Sequence, residues 1–180
     1  LAASLLLTAG AVSVSPAREA SAACVPSPGV TASGTDVAAA AFAPIEPVRI
    51  ADTRVGLGVP TGRVDSGCVL HVPVAAADPP GGATGVAVTL TAANAEGTGY
   101  VTAFACGSPR PETSSLNPRP GDPTSNLAVI ELDATRELCF YSSKPTDLIV
   151  DVTGWFAPGP NRLHDITPTR VFDSRTRGAT

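Results

Sequence analysis

The amino-acid sequence predicts an all-β fold, an antiparallel β-sandwich with a barrel-like closure as the alternative. Three observations carry this expectation. Short alternating apolar runs recur between residues 68 and 156, each bounded by turn-forming residues. Helix breakers are dense, with 17 glycines and 18 prolines in 180 residues, which excludes a long helical bundle. The one stretch that rivals a strand reading, residues 75–78, is too short for a stable helix.

The elements follow in order. Residues 68–74 (CVLHVPV) set Leu70, Val72 and Val74 on one face against Val69, His71 and Pro73 on the other. Residues 86–92 (VAVTLTA) place Val86, Val88 and Leu90 opposite Ala87, Thr89 and Thr91. Residues 94–99 (NAEGTG) read as a hairpin-type loop from which residues 100–106 return. Residues 127–132, 138–141 and 148–156 complete the set, with a turn at 134–137 joining the first two of these.

Ahead of the strands, residues 1–14 form an apolar run of signal-peptide length, too short to span a bilayer. Ser15 and Pro16 break it, and Ala20-Ser21-Ala22 supplies the small-x-small pattern of a cleavage site. Residues 1–23 therefore read as a signal peptide whose basic n-region is missing. Residues 24–43, rich in Ser, Pro, Gly and Ala, read as a flexible linker. A secreted, extracellular or cell-surface chain is expected, with no transmembrane span.

Cysteine usage points to the same compartment. Cys24, Cys68, Cys106 and Cys139 form an even set without a CxxC pair, and zinc-type spacing is absent. Four cysteines permit three pairings in an oxidising compartment. Cys106 ends one expected strand and Cys139 lies in another close in sequence, which favours Cys106–Cys139 and leaves Cys24–Cys68 to tie the linker to the domain. Each bridge is worth about 2–4 kcal/mol.

The chain repeats itself once. Residues 45–54 (IEPVRIADTR) recur as residues 166–175 (ITPTRVFDSR), sharing the pattern I-x-P-x-R-[IV]-x-D-[ST]-R. A separation of about 120 residues is the size of a small β domain rather than a solenoid coil. Residues 44–160 are accordingly one module, and residues 161–180 the start of a second, truncated copy.

These stretches, together with GYVTAFACG (99–107), PETSSLN (111–117), SNLAVIEL (125–132), ELCFYSS (137–143) and TDLIVDVTGWF (146–156), resemble a secreted repeat module of actinobacteria and related high-GC bacteria. The resemblance covers residues 44–156 and restarts at Ile166. Trp155 stands where Tyr is usual and Ala105 where Pro is usual. A single lysine, Lys144, among 12 basic residues fits a high-GC genome. The resemblance implies an all-β extracellular module found in tandem and beside other secreted domains, and it brings no site residues with it.

Chemistry is sparse. A net charge of -4 argues against nucleic-acid or anionic-membrane partners. Asp151 sits amid Leu, Ile and Val, where a carboxylate is costly unless paired. It is expected to meet Arg49, Arg54 or a run of backbone N–H groups at the sandwich edge. Asp52 is expected to cap the turn into Thr53-Arg54 through an Asx-type bond. Arg49, Asp52, Arg54 and Asp151 thus form a structural polar network. A calcium site and an arginine-lined anion site are the competing readings.

Asn117 and Asn126 are candidate ligand contacts, although such residues more often satisfy turn backbone. Trp155, Tyr100 and Tyr141 are candidate aromatic platforms, each expected more readily in the core. No nucleophile, metalloprotease or phosphate-loop motif occurs, and the two histidines lie far apart in sequence. Catalytic residues, a cofactor and a metal are not expected. The expected function is a non-catalytic binding or adhesion module contacting cell-wall or extracellular polysaccharide, with neighbouring copies of the module as further partners. An accessory domain of a secreted hydrolase, its catalytic part outside this chain, and a structural stalk are the alternatives.

Overall fold

Alternating side chains divide this chain between two sheets. The computed structural model describes residues 25–26 and 40–159. The expected signal peptide and second copy lie outside the described residues, as does Cys24. The strands are β1 (Val25–Pro26), β2 (Ala41–Asp52), β3 (Cys68–Pro73), β4 (Gly85–Ala93), β5 (Val101–Ala105), β6 (Thr124–Glu131), β7 (Glu137–Ser142) and β8 (Asp147–Ala157). One sheet runs β1-β3-β7-β5 and the other β2-β8-β4-β6, with every pairing antiparallel.

Odd-numbered strands make one sheet and even-numbered strands the other, so each link between described strands crosses between sheets. This corrects one expectation. Residues 94–99 do not close a hairpin: β4 pairs with β6 and β8, while β5 pairs with β7. The turn at 134–137 likewise carries the chain from β6 in one sheet to β7 in the other. Local sequence marks where a strand stops, whereas its partner is chosen by which apolar faces must be buried together. Residues 74–77 form one 3-10 turn, Val74–Ala77, with Val74 and Ala77 buried.

A single buried cluster draws on both sheets. Leu70, Val72, Val101, Leu138 and Phe140 come from one, and Ile50, Val86, Val88, Leu90, Leu148, Val150, Val152 and Trp155 from the other. Bulges aim two of these side chains. Between β4 and β8 the register slips after Ala87↔Gly154 to Val88↔Val152, leaving Thr153 as the extra residue. Strict alternation from Val152 would turn Trp155 outward; the bulge turns it into the core at 2% exposure. A second slip, between Arg49 and Ala51, leaves Ile50 unpaired and buried.

Described residues of the expected linker take strand positions. Val25 and Pro26 pair with Val69 and Cys68, and β2 begins at Ala41, opposite Ala157. Phe42 stacks on Phe156 with ring centroids 5.1 Å apart. A Cβ at Gly154 would lie 2.5 Å from the Phe42 ring, so only glycine lets the ring settle there. The Cys106–Cys139 bridge is formed, with Cα atoms 5.0 Å apart. The expected Cys24–Cys68 pairing involves a residue outside the described set, and no described cysteine is free.

Truncating Phe140, fully enclosed by the shared cluster, to alanine is expected to cost about 3–5 kcal/mol in urea denaturation. Leu127→Ala and Val129→Ala, at side chains 60% and 62% exposed on β6, are expected to stay within about 0.5 kcal/mol.

Candidate functional site

Two surface regions gather polar side chains, and they differ in how much of their bonding capacity the fold consumes. The first is the corner where β2 ends and β8 begins. Asp52 accepts the Arg54 backbone N–H at 3.1 Å, an Asx-type turn, and takes the Arg54 guanidinium at 2.9 and 2.7 Å. The Arg54 side-chain bonds hold the Asp52 carboxyl below the usual carboxylate range despite its burial. Arg49 faces Asp151 across the β2–β8 ladder and grips it with two bonds of 2.8 and 3.1 Å. That pair lies on the outer face between an edge strand and an inner one, so Asp151 itself stands on an inner strand rather than at the sheet edge.

Thr53 is fully buried. Its hydroxyl donates to Asp147 Oδ1 at 2.9 Å and accepts the Leu148 N–H at 3.0 Å. Asn94 donates to the other Asp147 oxygen at 2.8 Å, and Arg63 reaches it at 3.9 Å while binding Glu96 at 2.8 Å. The loop after Thr53 folds back tightly, with Asp52 and Leu57 exchanging backbone bonds. Gly58 sits there at φ +67°, where a Cβ would collide with the Ile50 carbonyl. A cavity of about 390 Å³ opens beside Thr53, Arg54, Arg63, Asn94 and Asp147. Its acidic and basic groups are paired with one another, which makes the corner a clamp.

The second region lies on the outer face of the β5 sheet. The segment after β5 folds back along that edge strand: Val101 exchanges backbone bonds with Ser115 and Leu116, and Ser115 Oγ accepts the Ala103 N–H at 3.0 Å. Thr102 donates to the Thr113 carbonyl at 2.7 Å, and Asn126 of β6 donates to the Ser115 carbonyl at 2.8 Å. The loop thus caps an edge that would otherwise present unpaired backbone groups. Ser115 and Asn126 are occupied in this way, whereas Glu112, Thr113, Ser114 and Asn117 are exposed.

Those four residues, with Tyr100 and Arg110, line an open cavity of about 460 Å³. Tyr100 is 39% exposed and packs against Tyr141 with centroids 5.7 Å apart. The Arg110 guanidinium lies 4.1 Å from the Tyr141 ring centre. Burial first, then the hydrogen bond with the Tyr100 hydroxyl, pushes the Tyr141 phenol upward.

The sequence-predicted residues therefore separate. Arg49, Asp52, Arg54 and Asp151 come together at the clamp, Asn117 lines the groove, and Asn126 braces it from behind. Trp155 is enclosed in the core, the role favoured for it, and does not serve as the ligand contact kept beside that reading. Tyr100 and Tyr141, expected in the core, instead form an outward-facing pair, because odd residues of β7 point away from the shared cluster. Asp147, Arg110 and the inward role of the Thr53 hydroxyl were not expected from the sequence. Thr53 carried one signal, since the hydroxyl recurs as Ser174 in the repeat.

Thr53→Val is expected to destabilise by about 1–3 kcal/mol, since it strands the Asp147 carboxylate and the Leu148 N–H. Thr53→Ser is expected to stay within about 1 kcal/mol; urea denaturation of both variants reads the difference. Because the folded Asp52 carboxyl is depressed, its contribution is complete above the unfolded value near pH 4 and is lost as pH falls below it. Asp52→Asn should flatten that acid limb in stability measured from pH 7 down to about pH 2.

No protein-family model matches the chain, and no curated protein or solved structure matches it significantly.

Proposed function

We propose that this chain is a secreted, non-catalytic β-sandwich module that binds extracellular or cell-wall polysaccharide through the Tyr100 groove. The single observation that carries the reading is the groove itself: a pair of tyrosine rings in tilted contact beside exposed Glu112, Thr113, Ser114 and Asn117 and the Arg110 guanidinium. Sugar rings dock their C–H faces on aromatic rings and offer hydroxyls to amides, hydroxyls and carboxylates, and both partners lie side by side here. The open, shallow shape suits one segment of a long chain. Arg110 favours a polymer with carboxylate or phosphate groups over a neutral one.

The sandwich assignment is supported by the shared cluster, to which both sheets turn their alternate residues. Secretion is supported by the residue 1–14 pattern and by the Cys106–Cys139 bridge. The tandem reading is supported by the clamp. The repeated residues are those that fasten β2 to β8, and Arg170, Asp173, Ser174 and Arg175 stand in the places of Arg49, Asp52, Thr53 and Arg54.

The test is affinity electrophoresis and calorimetry of the full chain with soluble cell-wall polysaccharides, acidic and neutral. Retardation by an acidic polymer is expected, weakened about tenfold by Tyr100→Ala, which corresponds to about 1.4 kcal/mol. Asn117→Ala and Arg110→Ala should weaken it as well. Retention unchanged by all three variants, or none on any polymer, overturns the groove assignment. A stalk or an accessory spacer would give the second of these outcomes.

A further inference from the structure

We propose that the outer face of the β3-β7-β5 sheet holds a redox-gated site for a zinc-class cation, with Cys106, Cys139 and His71 as ligands. Sequence spacing conceals this group, because its members are 33 or more residues apart. The register assembles it: His71 stands opposite Cys139, Cys139 opposite Phe104, and Cys106 follows β5 to close over them. The two sulfurs and a ring nitrogen of His71 all lie within 4.8 Å of one another. Tetrahedral zinc, at about 2.3 Å from sulfur and about 2.0 Å from nitrogen, sets its ligands roughly 3.5–4 Å apart. Opening the disulfide and side-chain rotation cover the difference.

Two further features suit an ion. Glu137 Oε2 lies 3.2 Å from His71 Nδ1, the carboxylate–histidine arrangement that fixes a ligand ring while its second nitrogen faces a metal. Val69 and Phe104 are buried beside Cys139, giving one dry wall, and His71 is exposed, giving an entry path. Three protein ligands leave a fourth position for water or an outside ligand.

Oxidation state gates the site. While the sulfurs are bonded to each other they carry no thiolate charge, and the ion has only one strong ligand. An external thiol, R′SH, reduces the bridge: two R′SH yield R′S–SR′ and two protein thiols. The cation then forms two metal–sulfur bonds and releases the two thiol protons, while neutral His71 donates its lone pair. The backbone ladders that position His71 and Cys139 do not pass through the bridge, so the geometry survives its opening. The site shares its sheet face with the Tyr100 groove, Tyr141 packing against the same buried Val69, Phe104 and Cys139, but uses none of the groove's lining residues.

The experiment uses the full chain reduced with a phosphine and titrated with Co2+ as a spectroscopic stand-in, with far-UV circular dichroism followed in parallel. One equivalent is expected to give thiolate-to-cobalt charge transfer and tetrahedral d–d bands, displaced by Zn2+ and absent from the oxidised protein. His71→Ala and Glu137→Gln should each lower the affinity about tenfold or more. The Cys106→Ser, Cys139→Ser double variant, which retains every other thiol, should lose the bands. The proposal is overturned if the folded, reduced chain shows no bands, if they persist in the double serine variant, if His71→Ala leaves the affinity unchanged, or if reduction abolishes the strand signal.

Discussion

A buried carboxylate that must be satisfied governs the architecture. Asp147 opens β8, the one strand that pairs with both β2 and β4, and it does so almost out of reach of water. Thr53 and Asn94 supply its two short hydrogen bonds, and Thr53 also takes up the Leu148 N–H. With Asp147 so held, the end of β2 is fixed against the start of β8, and Arg49 arrives opposite Asp151. Truncating one partner would leave the others short of a bond and add their desolvation to the loss. The repeated I-x-P-x-R-[IV]-x-D-[ST]-R pattern is therefore intelligible as a fastening device. Its Asp52 holds Arg54, its Arg49 reaches across to Asp151, and its Thr53 hydroxyl works inside.

Strand positions were legible because alternation writes itself locally: Leu70 and Val72, and Val86, Val88 and Leu90, are inward as their period demands. Pairing was not legible. Gly and Asn at 94–99 advertise a turn, yet nothing in six residues states that the next strand joins the opposite sheet. A core place for Trp155 was legible, but the bulge that puts it there was not, since a single extra residue at Thr153 reverses the facing of everything after it. Asp151 was easier, because a carboxylate in an apolar run announces its need for a cation wherever the chain goes. The bridge between Cys106 and Cys139 could be read from strand ends. His71 beside it could not, because only the register of β3 against β7 brings them together.

The groove owes its form to edge protection. β5 ends its sheet, and the segment carrying Ser115 and Leu116 lies along its exposed side. Once Ser115 and Thr113 are pinned by the backbone of β5 and the hydroxyl of Thr102, their neighbours Ser114 and Asn117 stand at fixed positions near Tyr100. A cover required for solubility thus doubles as a rigid frame for surface side chains. That rigidity matters for recognition, because a loop already ordered loses little entropy when a ligand arrives.

Ala41 and Ala157 face each other on the last rung of the β2–β8 ladder. The first strand of this sheet thus begins where its last strand ends. Tension applied between Ala41 and Ala157 would act on one rung at a time, peeling β2 from β8 like a zipper rather than shearing all rungs together. The aromatic stack of Phe42 on Phe156 sits at that mouth and would meet the pull first. The Arg49–Asp151 grip lies several rungs deeper, and the Thr53–Asp147 knot at the closed end would yield last.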